Sequence, residues 1–109
     1  MVTTRQQALE IAAQARRGLV EIYGDRLRGV YLYGSAARDQ LTPDSDIDIA
    51  VILDTIPDRF AELERTSHVC AALSNETNLV VSRIFVSEAD WNGGPDGIAP
   101  AIRAEAVAV

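Results

Sequence analysis

Asp46 and Asp48 stand two residues apart at the head of an apolar run, Ile49-Ala50-Val51-Ile52-Leu53. Strand side chains alternate between faces, so a pair spaced i, i+2 points the same way. Two carboxylates on one face are hard oxygen ligands, suited to a Mg2+ ion that carries a nucleoside triphosphate. Gly34-Ser35 precedes Asp46 by ten intervening residues and follows another apolar run, Val30-Tyr31-Leu32-Tyr33. A Gly-Ser turn can present backbone N–H groups and a hydroxyl to a phosphate. A phosphate cradle and a metal site on consecutive strands are the layout that nucleotidyl transfer requires. The bland alternative is a turn before a strand that opens with acids. It poorly explains two carboxylates among isoleucines, because an isolated buried carboxylate is costly without a partner.

Positioning these residues takes a small sheet with helices around it. Thr4-Arg5-Gln6-Gln7 fits a capping box at a helix start. Ala8, Ala12, Ala15, Leu19 and Ile22 follow at steps of four and three, one apolar helical face, and Gly24 is a plausible stop. Residues 29–34 read as a first strand and 46–53 as a second. Past its acids the second is apolar on both faces, as a covered central strand would be. Pro57 and Asp58 suit the first turn of a second helix, with Leu63, Ser67, Cys70 and Leu73 as its buried stripe. Residues 79–86 read as a third strand, rich in β-branched residues. Trp91 to Gly97 reads as a loop by its Gly and Pro content, and 98–107 as a last short helix. The fold class is therefore α/β (α+β), a small mixed sheet flanked by helices.

The chain has 109 residues, enough for one domain spanning 1–109, with about two-thirds of its unfolded surface buried. Its net charge of −6 argues against direct binding of nucleic acid, which normally needs a basic stripe. A metal-bridged nucleotide is still allowed, since the ion offsets the charge clash. Cys70 is the one cysteine, which excludes an internal disulfide and fits a reducing cytosol. No apolar run reaches the roughly 18 residues of a membrane span. The polar N-terminus lacks a signal-peptide apolar region. The expected setting is cytoplasmic, with no membrane contact.

Gly34-Ser35, ten residues and Asp46-Ile47-Asp48 together resemble the signature of minimal nucleotidyltransferases in the DNA polymerase β superfamily. The first helix, the Tyr33-to-Arg38 turn, Asp44 to Asp48 and the Ile102-Arg103-Ala104-Glu105 segment all have counterparts there. The resemblance implies that Asp46 and Asp48 hold one or two Mg2+ ions on the triphosphate of ATP. It implies that Ser35 and the Gly34 backbone contact the β- and γ-phosphates, while an acceptor hydroxyl attacks the α-phosphorus. Arg38 would add a phosphate contact or pair with Asp44; its plainer reading is a solvated turn residue.

There is one departure from the family pattern. Superfamily members usually add a third carboxylate from the next strand, and Ser82 stands about where it would fall. Ser82 should share a face with Val80, Ile84 and Val86, the face that carries Asp46 and Asp48. A hydroxyl is a weaker metal ligand and no base near neutral pH. Glu76 and Glu88 lie outside that strand, too far away to replace it. Other residues have structural readings. Tyr31 and Tyr33 pack under the first helix, with stacking of Tyr33 on an adenine as the weaker option. Trp91 anchors the loop that follows it. His68 is a helix-surface or satisfied core residue, Cys70 is core, and Arg83 faces opposite to Ser82.

The resemblance leads to three functional expectations. The first is a Mg2+-dependent transferase that moves AMP from ATP to a protein hydroxyl, as the antitoxin of a toxin–antitoxin pair. Its partner would be a HEPN-domain ribonuclease, and the acidic balance suits a basic, RNA-cleaving protein. The lack of the extra helical domain of larger relatives points the same way. The second is a non-catalytic module, with Ser82 a decayed third ligand, that binds nucleotide or masks a partner. The apolar terminus from Ala104 to Val109 is a candidate for that interface or for a homo-oligomer contact. The third and weakest is an enzyme that modifies a small cationic molecule such as an aminoglycoside.

Overall fold

The computed structural model describes residues 4–42, 45–93 and 99–109. Helix α1 spans Arg5–Tyr23 and opens on the expected capping box. The Thr4 hydroxyl accepts from the Gln7 amide at 3.2 Å, and the Gln7 side chain accepts from the Thr4 amide at 3.2 Å. The helix ends at Gly24 in a positive-φ conformation (φ 54°) that a glycine adopts without strain. A short 3-10 turn leads into β1, Leu27–Tyr33. Strand β2 is Ile47–Leu53, and α2 is Arg59–Thr77, capped by Asp58, whose Oδ1 accepts from the Ala61 amide at 3.2 Å. Strand β3 is Val81–Ser87, followed at once by α3, Glu88–Gly93. Helix α4, Ala99–Glu105, runs into the two-residue strand β4, Val107–Ala108.

The four strands lie in the order β3-β2-β1-β4. β1 is antiparallel to both β2 and β4, while β2 and β3 run parallel, joined through α2. This is an α+β fold with a mixed sheet. Helices α1 and α2 cover one face, packed on Val30, Leu32, Ile47, Ile49, Val51, Leu53, Val81 and Phe85. The other face carries Ala50, Ile52 and Val86 under Trp91 of α3 and Ile102 of α4. β2 is thus covered on both sides, as its two-faced apolar pattern demands. No helix among the described residues is long and apolar enough to cross a membrane.

Several expectations need correction. Tyr31 and Tyr33 lie on the face away from α1, because Val30 and Leu32 take the α1 side and strand parity sends their neighbours opposite. Trp91 to Gly93 are helical, not loop; the remaining residues of that expected loop, 94–97, lie outside the described set. Trp91 is anchored all the same. It stacks on Tyr31 with ring centroids 4.6 Å apart, and its carbonyl accepts from the Arg103 guanidinium. The buried stripe of α2 is Glu62, Thr66, Cys70 and Leu73; Leu63 and Ser67 are exposed. Apolar periodicity placed Cys70 and Leu73 but set the first half of the stripe one residue late, because the partners that make Glu62 and Thr66 buriable come from α1, its 3-10 extension and β3. Helix α4 also stops earlier than expected, and the chain adds the edge strand β4 instead.

Candidate functional site

Strand register sets three side chains in a row. Tyr33 of β1 pairs with Asp48 of β2, and Asp48 is in register with Ser82 of β3. Cross-strand partners share a face, so Tyr33, Asp48 and Ser82 form a polar line at one end of the sheet. The next line inward, Tyr31, Ala50 and Ile84, belongs to the core under α3 and α4. Candidate chemistry therefore begins where the apolar rows stop.

Ser82 Oγ donates to Asp48 Oδ1 at 3.0 Å, so the residue at the third-ligand position does stand beside the acid, on its face. Arg83 points the other way, to Thr66 and the Leu63 carbonyl. Asp46 lies one residue before β2 and is exposed; Asp48 is half-buried. Burial raises the pKa of Asp48 above the usual carboxylate range. The Ser82 hydroxyl pulls it back down, and the Asp46 charge pushes it up again. Tyr33, half-buried in the same row, is pushed up to about 12 by burial and then by the charges of Asp48 and Glu105.

Gly34 ends β1 and turns the chain at φ 76°. A Cβ there would sit 2.5 Å from Asp48 Oδ2, so only a glycine lets the turn approach the carboxylate this closely. The turn is closed by Arg38 N to Gly34 O at 3.3 Å and Gln40 N to Ser35 O at 2.8 Å. Buried Ala36 and Ala37 seat it on the α1 core. Asp39 ties it to the N-terminus of α1 by accepting from the Arg5 amide at 2.8 Å, where the helix dipole favours a negative charge. Among the described residues, the first amides of the turn, at Ser35, Ala36 and Ala37, meet no backbone acceptor. Amides in that state are what an anion needs.

Sequence reasoning passed over Glu105 as a site residue. Its Oε1 accepts from the Gly34 amide at 3.0 Å and its Oε2 from Arg38 Nη1 at 2.6 Å. Arg38 also bonds Gln40, while Asp44, its other expected partner, lies outside the described residues. The Arg38 bond and the Gly34 amide hold the Glu105 carboxyl below its usual range. The available signal was its place in the Ile102-Arg103-Ala104-Glu105 segment, which the family resemblance picks out without assigning it a role. Only the pairing of β4 with β1, which begins two residues later, brings it beside Gly34.

The acidic donors are few. Among the described residues, no three Asp, Glu, His or Cys side chains gather into a group able to hold a metal. What remains is Asp46 and Asp48, an exposed carboxylate whose charge acts on a half-buried one that Arg38 offsets only in part. Such a pair fits Mg2+, which commonly takes one or two carboxylates and fills its other positions with waters and substrate phosphates.

A family model described as polymerase beta, nucleotidyltransferase, matches residues 20–90. That span includes Gly34, Ser35, Asp46, Asp48 and Ser82 but stops short of Glu105. In three dimensions the chain is similar to a crystal structure from Sulfolobus solfataricus provisionally described as a nucleotidyltransferase. The TM-score is 0.68 at 19% identity, covering 95% of this chain and 80% of the other, a likeness of fold. A toxin–antitoxin crystal structure with AMP-PNP overlaps 65% of this chain and 54% of its own, at 25% identity and a TM-score of 0.48. That overlap is too partial to bear on function. No curated protein matches the chain by sequence.

Proposed function

We propose that this chain, which belongs to the polymerase β nucleotidyltransferase family, transfers AMP from ATP to a hydroxyl of a partner protein, residues 1–109 acting as one domain. The observation that carries this reading is the close approach of the Gly34 turn to Asp48, 2.5 Å from a Cβ position to Oδ2. An anion on the turn and a cation on the carboxylates would be immediate neighbours. In this reading Asp46 and Asp48 hold Mg2+, which neutralises charge on the triphosphate. The Gly34 backbone, the Ser35 hydroxyl and Arg38 hold the β- and γ-phosphates. The acceptor oxygen bonds to the α-phosphorus, the bond from that phosphorus to its bridging oxygen breaks, and pyrophosphate leaves. Ser82 orients Asp48 through its hydrogen bond but cannot take the acceptor's proton near neutral pH, so the proton passes to water. The chain's contribution is positioning and electrostatics, which account for most of the catalysis in such transfers.

The acceptor is proposed to belong to a HEPN-domain toxin for which this chain is the cytoplasmic antitoxin. The resemblance of its Gly-Ser and Asp-Ile-Asp motif to that of minimal nucleotidyltransferases supports this, together with a net charge of −6 that suits a basic, RNA-cleaving partner. Co-expression with a neighbouring HEPN gene, followed by incubation with ATP and Mg2+, tests it. Mass spectrometry should find AMP added to a Tyr, Ser or Thr of the partner.

A second reading has one specific observation behind it. The residue bonded to Asp48 is Ser82, a hydroxyl where a third carboxylate would serve as ligand or base. A non-catalytic module would keep nucleotide affinity and act by covering its partner. A stable complex with no AMP addition under any divalent metal would favour that reading over catalysis.

A further inference from the structure

Glu105 occupies the groups assigned above to phosphate. One of its oxygens takes the Gly34 amide and the other takes Arg38. We infer that Glu105 is an internal competitor for the nucleotide, an acid that fills the phosphate cradle until a polyphosphate displaces it. The inference rests on the nucleotide-binding reading and deepens it.

The geometry distinguishes a displaceable side chain from a fixed one. The backbone around Glu105 is held: Ile102 is buried, Ala106 N donates to Ile102 O at 3.0 Å, and Val109 N donates to Val30 O at 3.0 Å. Val107 and Ala108 pair with β1. The side chain itself is 29% exposed, so its torsions can carry the carboxylate out to water without moving α4 or β4. In place, it adds a negative charge to the surroundings of Asp48, which Asp46 already repels, and it occupies the guanidinium of Arg38 that would offset them. A phosphate arriving with its metal would offer Gly34 and Arg38 an equivalent acceptor and relieve that repulsion. Glu105 thus keeps Arg38 and the turn ordered in the free protein and sets a threshold that a weakly charged ligand does not pass.

The test is calorimetric titration with MgATP, and with magnesium tripolyphosphate as a probe without a base. The proteins are wild type, Glu105→Gln and Glu105→Ala, each checked for folding by its melting curve. Glutamine can still accept from the Gly34 amide but releases the charge of Arg38. Both variants should bind either probe about two- to five-fold more tightly, the scale of a partly exposed ion pair. In an Arg38→Ala background the gain from Glu105→Gln should vanish. Wild-type binding with equal or weaker binding by both variants would overturn the inference and make Glu105 a structural latch, leaving the nucleotide reading intact. If wild type and both variants all fail to bind, the nucleotide reading fails and this inference falls with it.

Discussion

Two acids are drawn into this small fold, and they are treated in opposite ways. Glu62, on the helical side of the sheet, is nearly sealed from water and fully matched. Its oxygens accept from the Tyr23 hydroxyl at 3.0 Å, Arg65 at 2.8 Å and Arg26 at 3.2 Å, and Arg26 is held in turn by Asp54 at 3.1 Å. Burial and the Glu62 carboxylate together push the Tyr23 phenol well above its usual range. Asp48, at the open end of the sheet, accepts from one neutral hydroxyl and shares its surroundings with two acids, Asp46 and Glu105, against one cation, Arg38, which is itself bonded to Glu105. The first acid is a closed account of charges; the second is short of positive charge. In the proposed function a cation would meet that shortfall, whereas the Glu62 cluster asks for nothing more.

The sharpest way to break this comparison is to remove Glu62. Glu62→Ala removes the acceptor that Arg65, Arg26 and the Tyr23 phenol share, leaving Arg26 only its bonds to Asp54 and the Thr55 carbonyl. It should cost about 3 kcal/mol in urea denaturation, the low end for a broken buried pair because Arg26 and Arg65 are partly exposed. MgATP affinity should not change. A variant as stable as wild type would mean that the cluster is no more structural than the site.

Gly34→Val should cost about 2 kcal/mol, since a β-branched residue at positive φ is strained and its Cβ meets Asp48. Its larger effect should be loss of MgATP binding, measured by the same titration. Ser35→Ala should weaken binding by about 1–2 kcal/mol, the scale of a hydrogen bond to a charged group, with little change in melting temperature. Normal binding by Ser35→Ala would reduce that hydroxyl to a turn residue.

Ser82→Asp sharpens the comparison from the other side by adding charge where it is already in excess. The metal-free protein should melt at a lower temperature, and Mg2+ should restore it, because the ion binds only the folded site. Equal destabilisation with and without metal would place the excess charge somewhere other than a cation site.

Much of this was legible from the sequence because it depended on local rules. The capping box at Thr4 and the Gly24 stop are short-range hydrogen-bonding patterns, and Asp58, read as a first-turn residue, caps the helix one position earlier. The face shared by Asp48 and Ser82 follows from strand parity once both strands are placed. What failed depended on partners distant in the chain. Glu62 and Thr66 look like surface residues until Arg26, Tyr23 and Arg83 are brought to them. Glu105 looks like an incidental charge until a two-residue strand docks against β1 and sets it on Gly34. Tyr31 and Tyr33 were assigned to the wrong layer because an apolar run with both faces covered does not say which helix lies on which side.

The pH dependence of Asp48 carries the sign of its predicament. Its folded pKa is raised, so its favourable contribution to stability is present below the ordinary carboxylate pKa and lost as pH rises through the folded value. Glu105, held low by Arg38 and the Gly34 amide, works the other way: its contribution is present above the ordinary range and lost as pH falls through its folded pKa. Without metal, the advantage in melting temperature of Asp48→Asn over wild type should therefore widen between about pH 4 and about pH 7.

The most direct measurement is Asp48→Asn itself at neutral pH, melted without metal and titrated with MgATP alongside wild type. The substitution removes a charge that Ser82 and Arg38 offset only in part. The variant should melt at or above the wild-type temperature and show no MgATP binding. A variant that loses stability as Glu62→Ala does, and binds MgATP as wild type does, would contradict the account, because Asp48 would then belong to the framework and not to the site.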